Sequence, residues 1–186
     1  MPVTPFHLGP GFALKSVAPR YVSFTIFAFT QILIDLEALY FFAQNDSHMH
    51  RYLHTYLGAT IVAGISVAIG RPVCQWLLKK WNNHLSPKQK KWLYVESAIS
   101  IKSAVIGAAL GAYSHILLDS IMHSDIKPFA PYIGKNGLYN IITLDQLDLL
   151  CGLSGIVGLL ILTALGLIRK KHKTAFYQKE GTPRET

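Results

Sequence analysis

Four apolar stretches, each long enough to cross a lipid bilayer, constrain this chain more than any other feature of its sequence. A spanning helix needs about 20 mostly apolar residues. The four runs lie near residues 21–43, 53–73, 97–120 and 149–168. Only 15% of the 186 residues are charged, whereas a soluble domain carries about 25%. The sequence therefore predicts one all-α, polytopic membrane domain, a bundle of four transmembrane helices.

The segment before the first run is short and rich in turn formers, and it contains His7. It is too short to span a bilayer, so we expect a re-entrant or interfacial segment there. Small residues recur on two of the predicted spans, with Gly107 and Gly111 on the third. Gly152, Gly155 and Gly158 line the fourth. This pattern is typical of close helix packing within a bundle.

The net charge of +8 is unevenly distributed along the chain. Basic residues concentrate before the first span, between the second and third, and in the tail 169–186. The positive-inside rule then predicts a multi-pass protein with both termini in the cytoplasm. Segments 44–52 and 121–148 face outward. Topology and attraction to anionic lipid account for the basic clusters, so no nucleic-acid partner is expected.

Acidic and histidine residues lie inside or against the apolar runs, where ionisable groups are costly and usually functional. They are Asp35 and Glu37 in the first run, His50 and His54 at the start of the second, and His115 and Asp119 at the end of the third. The predicted topology brings all of these residues to one region near the outer face. Imidazoles and carboxylates together are ligands for a divalent metal.

Spacing suggests which of these groups act together. His50 with His54, and His115 with Asp119, are four residues apart, so each pair is predicted to share a helix face and chelate one ion. Asp35 and Glu37 are two residues apart and point about 200° away from each other on a regular helix.

We favour Asp35 as a direct ligand, oriented by Gln31 one turn below it. The alternative is a protonated Asp35 bonded to another helix. Three further residues keep two interpretations each. His123 and Asp125 either extend the metal site or belong to a loop. Arg51 either grips a substrate phosphate or neutralises Asp35 or Glu37.

The ordered set of motifs resembles a family of bacterial inner-membrane, metal-dependent hydrolases, the YdjM-like family. Its members show an early His, an Asp-x-Asp pair, a His-Arg with a second His shortly after, and a His-x-x-x-Asp. The matching residues here are His7, Asp35 with Glu37, His50 and Arg51 with His54, and His115 with Asp119. The second acid is Glu rather than Asp, and His54 follows one residue earlier than in the family pattern.

This resemblance implies a bacterial inner-membrane location and a metal-dependent hydrolase. The motif order is also similar to that of zinc-dependent phospholipases C and related nucleases, which implies a helical His/Asp site acting on phosphoesters.

The leading hypothesis is a membrane-embedded hydrolase that uses a divalent metal, zinc being the first choice. The candidate metal ligands are His7, Asp35, His50, His54, His115, Asp119 and His123. Glu37 or Asp125 would act as general base, and Arg51 would contact the substrate. Because the site lies near the lipid boundary, the expected substrate is a lipid or another amphiphile with a phosphoester or ester bond. The alternatives are a proton or metal-ion transporter, or a non-catalytic protein with a structural metal.

Overall fold

The computed structural model describes residues 5–179, with side chains described for 6–168, and the regular secondary structure in this part of the chain is helix, without strands. Its α-helices are α1 Leu8–Val17, α2 Phe24–Ala43, α3 Tyr56–Ile65, α4 Arg71–His84, α5 Pro87–Leu93, α6 Ile101–Met122 and α7 Leu144–Lys179. A 3₁₀ turn, Pro5–His7, precedes α1, and a π-helical turn, Ser66–Gly70, joins α3 to α4. The predicted all-α fold is confirmed.

Four helical segments are long and apolar enough to cross a membrane, as predicted. They are Phe24–Ala43, Tyr56–His84, Ile101–Met122 and Leu144–Ile168. The second segment continues well past the predicted end at residue 73, because nothing breaks the helix before Leu85, whose backbone is extended ahead of the Ser86-Pro87 turn.

The fourth segment begins five residues before the predicted start at 149. Thr143 caps it there, accepting a hydrogen bond from the backbone N–H of Gln146 at 3.3 Å. The Gln146 side chain accepts one in return from the Thr143 backbone N–H at 3.1 Å. This reciprocal capping explains why α7 starts before the apolar run does.

Helices α2 and α6 run in the same direction and pack closely along the predicted small-residue stripe. A Cβ on Gly107 would lie 2.5 Å from the carbonyl oxygen of Ser23, and one on Gly111 would lie 2.7 Å from that of Phe27. Only glycine permits such approach of one backbone to another. This contact aligns the middle of α2 with the second half of α6, where the ionisable residues lie.

Helix α1 packs against α7 and α2 rather than lying apart from the bundle. A Cβ on Gly9 would lie 1.9 Å from the carbonyl oxygen of Cys151, and one on Gly158 would lie 2.4 Å from the carbonyl carbon of Phe12. A helix of ten residues is about 15 Å long, roughly half the thickness of a bilayer core. The N-terminal segment therefore enters the bundle, and it places His7 among the ionisable residues.

The two ends of the bundle differ in chemistry. The end that carries the basic connection between α4 and α6 contains an apolar cluster around Ile26, Cys74 and Ile99. A second apolar cluster, which includes Ile34 and Ile116, lies nearer the other end. The ionisable residues are located above this second cluster, as the alternating directions of the helices require.

Candidate metal centre

Helix α6 supplies the centre with His115 and Asp119, which are one turn apart. Both are buried, with exposed fractions of 0% and 3%. Nε2 of His115 lies 3.1 Å from Oδ2 of Asp119. The prediction that this pair shares one helix face is confirmed.

Helix α2 supplies Asp35, which is also buried. Its Oδ1 atom lies 3.3 Å from Nε2 of His115. Glu37, two residues further on, points to a different neighbour, the turn that precedes α3. The two carboxylates thus diverge as the 3.6-residue period predicts, and only Asp35 faces the α6 pair.

His54 completes the group from the turn before α3 and is fully buried. Its Nε2 atom lies 3.6 Å from Oδ2 of Asp119. Asp35, His54, His115 and Asp119 each place one possible ligand atom within 4.8 Å of the others. We call these four residues the central group.

Glu37 organises the turn that carries His54. Its carboxylate accepts hydrogen bonds from the backbone N–H groups of Arg51, Tyr52 and Leu53 at 2.9–3.1 Å. It also accepts one from Nδ1 of His54 at 2.9 Å. A carboxylate that holds an imidazole in this way determines its tautomer and orients its other nitrogen, as is common around protein-bound metals.

The prediction that His50 and His54 share a helix face is wrong, because α3 begins only at Tyr56. Residues 50–55 form an irregular turn in which the backbone N–H groups of Arg51, Tyr52 and Leu53 bond to Glu37 instead of to helix carbonyl groups. Thr55 then caps α3, its hydroxyl accepting a hydrogen bond from the backbone N–H of Gly58 at 2.9 Å. The two rings still meet, with centroids 4.6 Å apart.

Several buried nitrogens of this centre have no hydrogen-bond partner among the described residues. They are Nδ1 of His7 and of His115, and Nε2 of His54 and of His115. The two Nε2 atoms lie 3.1–3.6 Å from the carboxylates of Asp35 and Asp119 but without the geometry of a hydrogen bond. Buried polar atoms are nearly always satisfied, so these nitrogens call for a group that the protein itself does not supply. A divalent cation would satisfy Nε2 of His54 and of His115 together with the two carboxylates. The central group therefore fits a metal ion of the type bound by imidazole and carboxylate.

A second group lies beside the first and consists of His50, His123 and Asp125, whose possible ligand atoms are also within 4.8 Å of one another. Nδ1 of His50 donates to the carboxylate of Asp125 at 3.0 Å, and the rings of His50 and His123 have centroids 4.3 Å apart. Between the two interpretations of His123 and Asp125, this arrangement favours an extension of the site. We call these three residues the adjoining group.

The electrostatics of the adjoining group favour neutral imidazoles. Burial lowers the pKa of His123 to about 4, the nearby His50 contributing to the shift. Burial and the neighbouring His54 lower the pKa of His50. Burial disfavours the charged form of Asp125, but the hydrogen bonds from His50 outweigh it and hold the pKa of that carboxyl below its usual range. At neutral pH these groups are in the protonation states that bind metals.

His7 reaches the edge of the central group. Its Nε2 atom lies 3.5 Å from Oδ1 of Asp119 and 3.3 Å from Sδ of Met122. Gln31, which the sequence suggested as a partner of Asp35, instead donates to the carbonyl oxygen of His7 at 3.3 Å. It thereby links the N-terminal segment to α2.

The Arg51 side chain pairs with Asp46, rather than with Asp35 or Glu37. Its guanidinium carbon lies 4.0 Å from the ring centre of Phe41, and its Nε atom donates to the carbonyl oxygen of His48 at 3.0 Å. The interpretation that the Arg51 side chain neutralises Asp35 or Glu37 is therefore wrong. Arg51 lines a pocket that also borders His50 and Asp125.

Sequence reasoning missed two residues that shape the site. Met122 contacts His7 through its sulfur. Asn136 donates from Nδ2 to the carbonyl oxygens of Ser120 at 2.8 Å and His123 at 3.0 Å, and so holds the end of α6. Asn136 lies in a connection without periodicity, so no pattern could have identified it.

The fold and the site together define a helical protein with four candidate membrane spans and a buried His/Asp group that could hold a metal ion. The chain belongs to a family described as a domain of unknown function (DUF4184), whose model matches residues 1–184. No curated protein and no solved structure matches the chain.

Proposed function

We propose that the protein is a membrane-embedded, metal-dependent hydrolase that cleaves a phosphoester or ester bond of a lipid or other amphiphile. The observation that carries the proposal is the set of buried imidazole nitrogens without partners, directed at the same place as two buried carboxylates. A bound divalent ion, zinc being the first choice, would polarise the reacting bond and make hydroxide available near neutral pH.

The residues divide into those that would hold the ion and those that position them. The central group would hold it, with His7 at its edge. Glu37 would orient His54. Because the two oxygens of Glu37 already accept hydrogen bonds from three backbone N–H groups and from His54, we assign it positioning rather than proton transfer.

Asp125 is the better candidate for a general base. It lines the pocket beside the site, and its side chain is 21% exposed, so its carboxylate can reach a water in the pocket, whereas that of Glu37 is enclosed by the turn that it holds. His50, which donates to Asp125, would take part in the same transfer.

Two features favour hydrolysis over the alternatives. An ion or proton relay needs ionisable groups across the whole membrane, but the far half of the described bundle holds the apolar cluster around Ile26 and Cys74, and no carboxylate or imidazole of the described residues is buried there. A purely structural metal site would be closed. The four residues of the central group are buried, but the adjoining group beside them opens onto the pocket through His50 and Asp125.

The test uses protein purified in detergent, reconstituted with zinc and assayed against phospholipids and neutral lipid esters in mixed micelles. We expect turnover by the wild type and a loss of more than about 100-fold in His115→Ala, since losing even an outer partner of a metal ligand costs 10–100-fold. The matched control is His84→Ala, whose imidazole lies at the opposite end of the bundle and is hydrogen-bonded to the Lys80 carbonyl oxygen. Zinc-loaded wild type that hydrolyses none of these substrates would overturn the proposal.

A further inference from the structure

A pocket of about 660 Å³ adjoins the candidate centre and has two chemically different walls. The polar wall contains His50, Arg51, Asp125 and Lys127. The apolar wall contains Leu53, Leu57, Ile61, Ala130 and Pro131. Its volume is in the range of pockets that bind small molecules, so it can accept a headgroup and the first part of an acyl chain.

The apolar wall opens toward the side of the bundle. Leu57 and Ile61 are one turn apart on α3, and their exposed fractions are 54% and 57%. They belong to a helix long and apolar enough to span a membrane, so their exposed faces would meet hydrocarbon. A ligand in this pocket can therefore keep its apolar part in the bilayer while its polar part reaches His50 and Asp125.

The segment 128–133 contributes Ala130 and Pro131 to the lining of this pocket. It is held to α3 by the backbone N–H of Tyr56, which donates to the carbonyl oxygen of Pro128 at 2.8 Å. Its Tyr132 and Ile133 side chains are 89% and 54% exposed. Exposed aromatic and aliphatic residues beside a membrane helix are typical of the lipid–water interface.

One cation of the polar wall, Lys127, has no acidic partner among the described residues, whereas Arg51 is paired with Asp46 and Asp125 with His50. The side chain of Lys127 makes no hydrogen bond or ion pair within the described part of the chain, although its backbone carbonyl oxygen accepts from the N–H of Ala130 at 3.0 Å. Arg51 pairs with Asp46 and donates to the carbonyl oxygen of His48. A phosphate at this wall would give Lys127 a partner, whereas an uncharged ester would leave the cation unpaired.

We infer that this pocket binds an anionic phospholipid, with its phosphate at Lys127 and Arg51 and one acyl chain along Leu57 and Ile61. The inference rests on the proposed function in making this lipid the substrate. It explains why the cations, the candidate metal centre and an apolar groove occur together at one end of α3.

The test is photo-cross-linking of the full-length, zinc-loaded protein in phosphatidylcholine nanodiscs that contain phosphatidylglycerol with an acyl-chain diazirine. Cross-links mapped by peptide mass spectrometry should fall on residues 57–61 and 130–131. Unlabelled phosphatidylglycerol should compete, and added phosphatidylcholine should not. Competition by inorganic phosphate as effective as that by phosphatidylglycerol would overturn the inference in favour of a soluble phosphate ligand.

Two variants, each with a matched control, test whether particular residues of the pocket walls bind the lipid. Lys127→Ala should lower the cross-linking yield about tenfold, as expected for losing one charge-assisted hydrogen bond. Lys135→Ala, another exposed lysine in the same connection that does not line the pocket, should not. Ile61→Trp should block the groove, whereas Ile69→Trp, on the same span and 60% exposed outside the pocket, should not.

Cross-linking does not depend on turnover, so the two ideas fail separately. Specific labelling with no hydrolysis would leave lipid binding standing and remove the proposed function. Hydrolysis that neither Lys127→Ala nor Ile61→Trp affects, with labelling spread over the whole surface, would remove this inference and leave the proposed function.

Discussion

Nδ1 of His54 donates to Oε2 of Glu37 at 2.9 Å, and this contact determines which nitrogen of the ring faces the candidate metal centre. Nε2 is left 3.6 Å from Oδ2 of Asp119, buried and without a hydrogen bond. His50 and Asp125 repeat the arrangement in the adjoining group, at 3.0 Å. In both pairs a carboxylate holds one imidazole nitrogen and leaves the other for a ligand.

Replacing Glu37 with glutamine should weaken metal binding without unfolding the protein. The amide keeps the shape of the side chain, but its NH₂ group cannot accept the N–H groups of Arg51 and Leu53, so the turn that carries His54 should loosen. We expect zinc affinity to fall about 10–100-fold. Competition against a chromogenic chelator, with helix content checked by circular dichroism, measures the change.

The matched control for that variant is Glu96→Gln. Glu96 is exposed, and its carboxylate accepts a hydrogen bond from the nearby backbone N–H of Ala98. Equal zinc affinity in Glu37→Gln and Glu96→Gln would remove Glu37 from the site.

Zinc should raise the thermal stability of the detergent-solubilised protein. A ligand that binds only the folded state adds about 2.7 kcal/mol when present at 100 times its dissociation constant. The rise in melting temperature should disappear in Asp119→Asn, because the central group loses a carboxylate. It should persist in Asp145→Asn, an exposed residue at the start of α7. A zinc-dependent rise of the same size in both variants would argue against Asp119 as a ligand.

The packing of α1 against α7 should depend on particular glycines of α7. A Cβ on Gly158 would lie 2.4 Å from the carbonyl carbon of Phe12, whereas one on Gly152 would lie 3.9 Å from the ring of Phe6. Both Gly→Ala changes raise helix propensity equally, so their difference isolates the contact. Gly158→Ala should be less stable than Gly152→Ala by about 1–3 kcal/mol, the usual result of overpacking. Equal melting temperatures would contradict the packing.

The side of the membrane that the site faces can be tested by cysteine labelling. The two native cysteines, Cys74 and Cys151, are buried and should give little background. In intact bacterial cells a membrane-impermeant maleimide should label Tyr132→Cys, whereas Lys88→Cys should react only after the cells are opened, by the positive-inside rule. The reverse pattern would place the site on the cytoplasmic side.

Much of the fold was predictable because hydropathy depends on local composition. The four spans were found at nearly the right places, and the His115–Asp119 pair was read correctly because both residues lie inside one regular helix. The helix ends were less accurate where a cap such as Thr143 starts a helix in polar sequence.

The turn at residues 50–55 could not be predicted, because the group that stabilises it, Glu37, comes from another helix. The four-residue spacing predicted a helix there. That prediction was wrong, although the rings of His50 and His54 do lie next to each other. The sequence also left undecided whether the N-terminal segment enters the bundle. The reason is similar, because the packing of α1 depends on the contact of Gly9 with the backbone of Cys151, on a helix far along the chain.

Metal binding by the central group is the property on which the proposed roles of these residues depend most directly. The measurement is elemental analysis by mass spectrometry of protein purified without a polyhistidine tag, before and after incubation with zinc and removal of the excess. We predict a stoichiometric amount of divalent metal in the wild type and in His84→Ala, and a nearly complete loss in His115→Ala. A wild-type protein that stays free of metal after incubation, or a His115→Ala variant that retains as much as the wild type, would contradict the account.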